Sequence, residues 1–440
     1  MGGTAVESIN ENILVTIIIY ISLFCVVLVS LLASPAPISI EAVDLILIIL
    51  PLLMGLYSLI ATRTYRLHLT ENYLLIAATF YLSYLLISLL IGLLHGVPLL
   101  NVLRSIGPYI NFFPLLLLGF LSPTVFRPSI VMFTLISVGI FQIIYLIYLY
   151  FAYSGVGSTT LHILINRITF MDQRTTLPLF LSVAVLPLAF SIYYSQSRLK
   201  NVFLNLLSFM LILMGFFAGI ITLTRSIFLS VIFGWIVYLM LYLYYQSKMN
   251  SALLLPLLKK ISIYLFCFIC IIIFVSCFKT VQMIEAGLFS RFSDSSHLQN
   301  ADFSNGRLYD EWIPAITTWA NSDILGILFG IGSGYPFIIL SGEERTYIHN
   351  LCIYNLVYGG FYGLLTCLLL YLVLLKTLIY RAFQTQNIAY LAFAALLMSM
   401  FFYAQFFAVH KGFAFNVMLF VIMAIALCRP ENRSPISNSS

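Results

Sequence analysis

The chain is 440 residues long, 62% hydrophobic and only 8% charged, with a mean hydropathy of +1.06 and a formal net charge of +6. A soluble domain carries about 25% charged residues, so a water-soluble globule is excluded and a bilayer is implied. The apolar runs are long and continuous rather than alternating, which points to membrane-spanning helices and not to a barrel.

Read in order, the sequence predicts an all-α, polytopic membrane protein with about twelve spans in one transmembrane domain over 1–440. They fall near 13–33, 42–61, 72–93, 100–122, 129–152, 177–194, 202–222, 226–246, 261–278, 348–375, 388–409 and 411–428. The first run is too long for a cleaved signal peptide and has no basic stretch before it. In the fourth, Arg104, Pro108, Asn111 and Pro114 predict a bent or re-entrant piece. Cys267 and Cys270 lie within the ninth apolar run and read as core residues, not metal ligands.

Alternate loops divide the 21 Lys and Arg into twelve on one side and nine on the other. Every short loop of the larger set is basic, so that side is predicted to be cytoplasmic, with both termini there. The one long polar segment, 279–347, then lies outside, between the ninth and tenth spans. No soluble nucleotide-binding domain and no P-loop occurs, which argues against direct use of ATP. The halves show no repeat of the kind a two-bundle transporter often carries.

Seven of the nine outer basic residues are Arg: Arg104, Arg167, Arg174, Arg225, Arg291, Arg307 and Arg345; the other two are Lys279 and Lys411. Lysine would solubilise a loop equally well. Arginine is preferred where a planar fork grips phosphate or carboxylate. Arg225, in Thr222-Leu223-Thr224-Arg225-Ser226, is the one charge in 202–246. Two readings stand: a phosphate seat at a helix start capped by Thr224 or Ser226, or an Arg snorkelling from a tight turn.

Residues 306–321 predict a surface helix capped by Ser304 or Asn305. Arg307 stands at its start, where the helix dipole disfavours a cation. Leu308, Trp312, Ile316 and Trp319 share one face, and the tryptophans read as headgroup anchors or as a sugar-stacking surface. The run Gly326 to Gly334 reads as a hinge or as a turn with exposed N–H groups; without a βαβ unit it is no dinucleotide site. In the tenth span, His349, Cys352, Ile353, Leu356, Gly360 and Gly363 fall on one helical face, with Gly359 and Gly363 spaced for close packing. His349 is thereby expected at the outer mouth of the bundle, either as a neutral imidazole that can accept a proton or as a hydrogen-bonding helix cap.

Together, Thr224-Arg225-Ser226 opening a span, Gly306-Arg307 opening the surface helix, the turn at 330–334, and His349-Asn350 followed by Gly359-Gly360-x-x-Gly363 resemble the bacterial O-antigen polymerase and O-antigen ligase superfamily. The motifs cover 222–363; spacing and topology extend over most of the chain. The resemblance implies a glycosyltransferase of the bacterial inner membrane, with its active site facing the periplasm. It would move a glycan from undecaprenyl diphosphate without a nucleotide sugar, metal or other cofactor. In the polymerase the acceptor is another lipid-linked repeat unit, and a chain-length regulator is a possible partner; in the ligase it is the lipid A core. The polymerase is favoured on the high Phe, Tyr and Ile content. Nucleic acid is not an expected partner.

On this reading Arg225, Arg307 and Arg345 hold the diphosphate, with Arg167 and Arg174 in second rank. His349 takes the proton from the acceptor hydroxyl, with Glu344 as the alternative base. One-step attack inverts the anomeric centre. The competing class, a polysaccharide or lipid flippase without chemistry, predicts charges deep in several spans, and few are found.

Overall fold

A computed structural model describes residues 3–30, 42–61, 73–120, 126–152, 178–189, 205–215, 225–249, 307–340, 342–406 and 408–428. Its helices, in chain order, are α1 (Gly3–Ser30), α2 (Ala42–Ala61), α3 (Tyr73–Leu94), α4 (Leu99–Ile106), α5 (Phe112–Leu116), α6 (Pro128–Ala152), α7 (Pro178–Val185), α8 (Asn205–Gly215), α9 (Arg225–Met249), α10 (Ile313–Ala320), α11 (Ile324–Phe329), α12 (Leu351–Thr385), α13 (Ala389–Tyr403) and α14 (Phe413–Leu427). The fold is all-α, apart from a hairpin of two short strands, β1 (Phe337–Ile338) and β2 (Glu344–Arg345).

Among the described residues, five helical segments are long and apolar enough to cross a bilayer: Tyr73–Leu94, Leu99–Gly119, Pro128–Tyr145, Leu229–Met249 and Leu351–Thr385. Shorter apolar helices stand at most of the other expected spans; the ninth, 261–278, lies outside the described residues, as do Cys267 and Cys270. α14 has 15 residues, all of them buried, and at 1.5 Å per residue it reaches only about 22 Å. A helix apolar on every side belongs in the middle of a bundle, and α14 with α13 forms that middle. α9 packs along α13, where Ser399 donates to the Ser230 carbonyl at 2.5 Å and the rings of Phe233 and Phe402 stack at 4.8 Å.

The fourth span is broken as its sequence predicts. α4 ends at Ile106, a 3₁₀ turn runs from Gly107 to Tyr109 around Pro108, and α5 then leads into another 3₁₀ turn, Leu117–Phe120. Prolines at 108 and 114 cannot donate backbone hydrogen bonds, so no single helix can run through.

α3 and α12 lie side by side because glycine leaves room. A Cβ on Gly359 or Gly363 would strike the Tyr84 ring of α3. Ser88 of α3 donates to the Tyr358 carbonyl at 2.8 Å and accepts at its own carbonyl the N–H of Ser333, also at 2.8 Å. The glycine-rich run is thus a packed crossing, not a hinge: Gly330 (φ 84°) passes against the backbone of Tyr358 and Gly359, and Gly332 against Gly92. α12 bends there in turn, with Gly360 at φ 62°, ψ −161°.

Two sequence expectations change. α12 starts at Leu351, so His349 precedes the helix and does not share its wheel; the buried face runs through Leu351, Tyr354, Asn355, Val357 and Tyr358. Trp319 is neither a headgroup anchor nor a sugar platform. It is buried with Ala315, Ile331, Phe337 and Tyr358 in a second, smaller core, and its indole N–H donates to the Ile327 carbonyl at 3.3 Å.

Candidate functional site

The site lies where that smaller core meets the start of α12. The surface helix opens with a π turn, Leu308–Trp312, before α10 takes over. The wider turn accommodates one extra residue, and Pro314 follows without an N–H to give. Its effect is to turn Glu311 inward, where the side chain is only 1% exposed, while Tyr309 stays exposed.

A carboxylate removed from water needs partners, and Glu311 has several. Its Oε1 accepts the backbone N–H of His349. Its Oε2 accepts from His349 Nδ1 at 2.7 Å and from the Arg345 guanidinium at 3.4 Å. Burial alone would raise its pKa; the bonds from the His349 ring and backbone, together with the charges of His349 and Arg307, outweigh burial and hold it below the usual value.

The local sequence explains each placement. The β1–β2 hairpin pairs Phe337 with Arg345 and brings the guanidinium over Glu311. Asn350 caps α12: its Oδ1 accepts the Ile353 N–H at 2.9 Å, and its Nδ2 donates to the Gln405 carbonyl at 3.1 Å. Arg307 donates to the carbonyl of Phe406, so both ends of the site hold the turn that follows α13. The Tyr347 ring meets His349 edge-on, with centroids 5.2 Å apart.

That same turn brings in Lys411. Its ammonium donates to the Thr346 carbonyl at 2.7 Å and lies 5.4 Å from the Tyr347 ring and 5.8 Å from the Tyr354 ring. Burial pushes its pKa down to about 7. Neighbouring His410 is buried against Tyr354, with ring centroids 4.4 Å apart, and neither ring nitrogen has a hydrogen-bond partner among the described residues.

Of the sequence-predicted residues, His349, Arg345 and Arg307 come together around Glu311. Glu344 lies on β2 and is exposed; the carboxylate in contact with His349 is Glu311 instead. Arg345 is already paired, with Glu311 at 3.4 Å and Glu343 at 3.6 Å. Arg225 is the first residue of α9, with Ser226 inside that helix, and Arg167 and Arg174 lie outside the described residues.

Sequence reasoning missed Glu311, one of two acids in the first turn of the surface helix. It also missed Lys411, counted only as an outer charge. Glu311 and His349 are 38 residues apart, and no periodicity links them; the one local signal is a pair of acids following Arg307.

Chemically, a carboxylate on Nδ1 fixes the Nδ1–H tautomer, leaving Nε2 as an acceptor, and stabilises the imidazolium once a proton arrives. The His349 side chain is 17% exposed, so a small molecule in solvent can touch it. Among the described residues, no group of three His, Cys, Asp or Glu is arranged to hold a metal ion. No protein-family model matches this chain, and it matches no curated protein.

Proposed function

We propose that this protein transfers a glycan from a polyprenyl diphosphate to a hydroxyl acceptor at the outer face of a bacterial inner membrane, and that the acceptor is a second lipid-linked repeat unit. The observation that carries the reading is the buried Glu311 carboxylate on His349 Nδ1, at 2.7 Å and ringed by cationic side chains. An imidazole so oriented can take the acceptor's proton from its Nε2 side, a role worth roughly 10²–10⁴-fold in rate. Diphosphate is a good leaving group, and positive charge beside it stabilises what departs. Attack of the acceptor oxygen on the anomeric carbon breaks the carbon–phosphate oxygen bond in one step and inverts the centre. Both termini lie in the cytoplasm on this reading, with 279–347 outside.

The test uses the purified full chain in vesicles, given lipid-linked repeat units alone. The expected product is a ladder of polymer, absent with His349→Ala although that variant still inserts. Product only after addition of lipid A core would make the enzyme a ligase. Lipid crossing the bilayer with no glycan transferred would make it a flippase, and the transfer reading would fail.

A further inference from the structure

Lys411 has no part in the proton transfer just described, yet it stands beside it. The Tyr347 ring links the two: His349 lies against one edge, Lys411 Nζ is 5.4 Å away, and the Arg345 guanidinium carbon is 5.9 Å away. The cations differ in how their charge is met. Arg345 faces two carboxylates, and Arg307 donates to a carbonyl close to Glu311. Lys411 has a carbonyl and two ring faces, and among the described residues no carboxylate stands within ion-pair reach of it. Ring faces and a single carbonyl stabilise an ammonium far less than an anion does in a partly dry site. The ammonium form of Lys411 is thus uncompensated by any carboxylate among the described residues.

We propose that Lys411 is the anion-holding residue of this site and that its ligand is the diphosphate of the lipid donor. The proposal rests on the transfer reading for the identity of the ligand, but not for the chemistry of the subsite. In the empty site, the half-buried amine is shifted toward its neutral form by desolvation. A dianion beside it favours the ammonium. The titratable and charged groups around it are His410 on its own turn, Tyr347 and His349 before α12, Tyr354 within α12, Arg345 on β2, and Glu311 and Arg307 on the surface helix.

The probe is farnesyl diphosphate, titrated calorimetrically into the full chain in detergent at pH 7.5. We expect the native protein to bind it. Lys411→Gln should weaken binding roughly ten- to hundredfold. Lys411→Arg, which keeps the positive charge, should keep more of the affinity than Lys411→Gln. Unchanged affinity in Lys411→Gln would overturn the proposal. So would affinity in Lys411→Arg no higher than in Lys411→Gln, or no binding of the probe by the native protein. A Lys411-dependent binding result without any ladder from repeat units would remove the transfer reading and leave the subsite standing. A ladder with Lys411-independent binding would do the reverse.

Discussion

Glu311 is held by competition between two large effects. Desolvation favours its neutral form, whereas the His349 ring and backbone N–H and the Arg307 charge favour the carboxylate, and the partners win. A buried ion pair is not a stabiliser in itself; breaking one by removing a partner costs about 3–5 kcal/mol, because the remaining charge is left alone. The sign of the pH dependence follows. The carboxyl's folded pKa is below its unfolded value near 4.5. Its contribution is therefore present above that value and is lost as pH falls through the folded pKa. Melting of the detergent-solubilised protein should show the native chain losing its advantage over Glu311→Gln on acidification from pH 6 to pH 3. A constant difference across that range would mean that the carboxylate is not the stabilising form.

Between residues and the whole fold, the glycine crossing sets the site's register. Gly330 and Gly342 share the same backbone angle, φ 84°, but their surroundings differ. A Cβ at 330 would run into the backbone of Tyr358 and Gly359, whereas one at 342 meets nothing within 4 Å. A positive φ strains an alanine at both positions, and at 330 ψ is 173°, a region all but restricted to glycine that costs roughly 1–3 kcal/mol. Only at 330 does overpacking add a further cost, of about 1–3 kcal/mol. Gly330→Ala should accordingly lower the melting temperature well below that of Gly342→Ala; equal losses would show that the crossing does not constrain the fold. The crossing also marks a limit of sequence reading. Four glycines in nine residues announce a sharp turn, but the turn's partner, the Tyr358–Gly360 backbone, is fixed only by tertiary contact. The Arg307 helix was legible from its caps and apolar spacing. Its π turn was not, because a single added residue per turn leaves no periodic trace, and with it went the inward direction of Glu311.

Over the whole molecule, composition alone gave the helical membrane character, since so few charges cannot cover a soluble surface. Proline positions gave the broken fourth span. Span count was harder to read: α13 and α14 are as apolar as any membrane helix, yet short and buried on all sides, and a hydropathy pattern does not distinguish protein from lipid as a neighbour. Arg345 was found through the excess of Arg among the outer charges, and His349 through its place at the start of an apolar run, although the helical face assigned to it does not form. Glu311 and Lys411 came from opposite ends of a 100-residue separation that only folding closes. Glu311 and His349 are proposed to act as one proton-accepting unit in glycan transfer. The most direct test is the rate of polymer formation from purified lipid-linked repeat units by Glu311→Gln, His349→Ala and the double variant. Groups acting as a unit are non-additive. The expected result is a loss of roughly 10²-fold or more for His349→Ala, and a double variant no slower than that single one. Independent, multiplying losses would contradict the proposal.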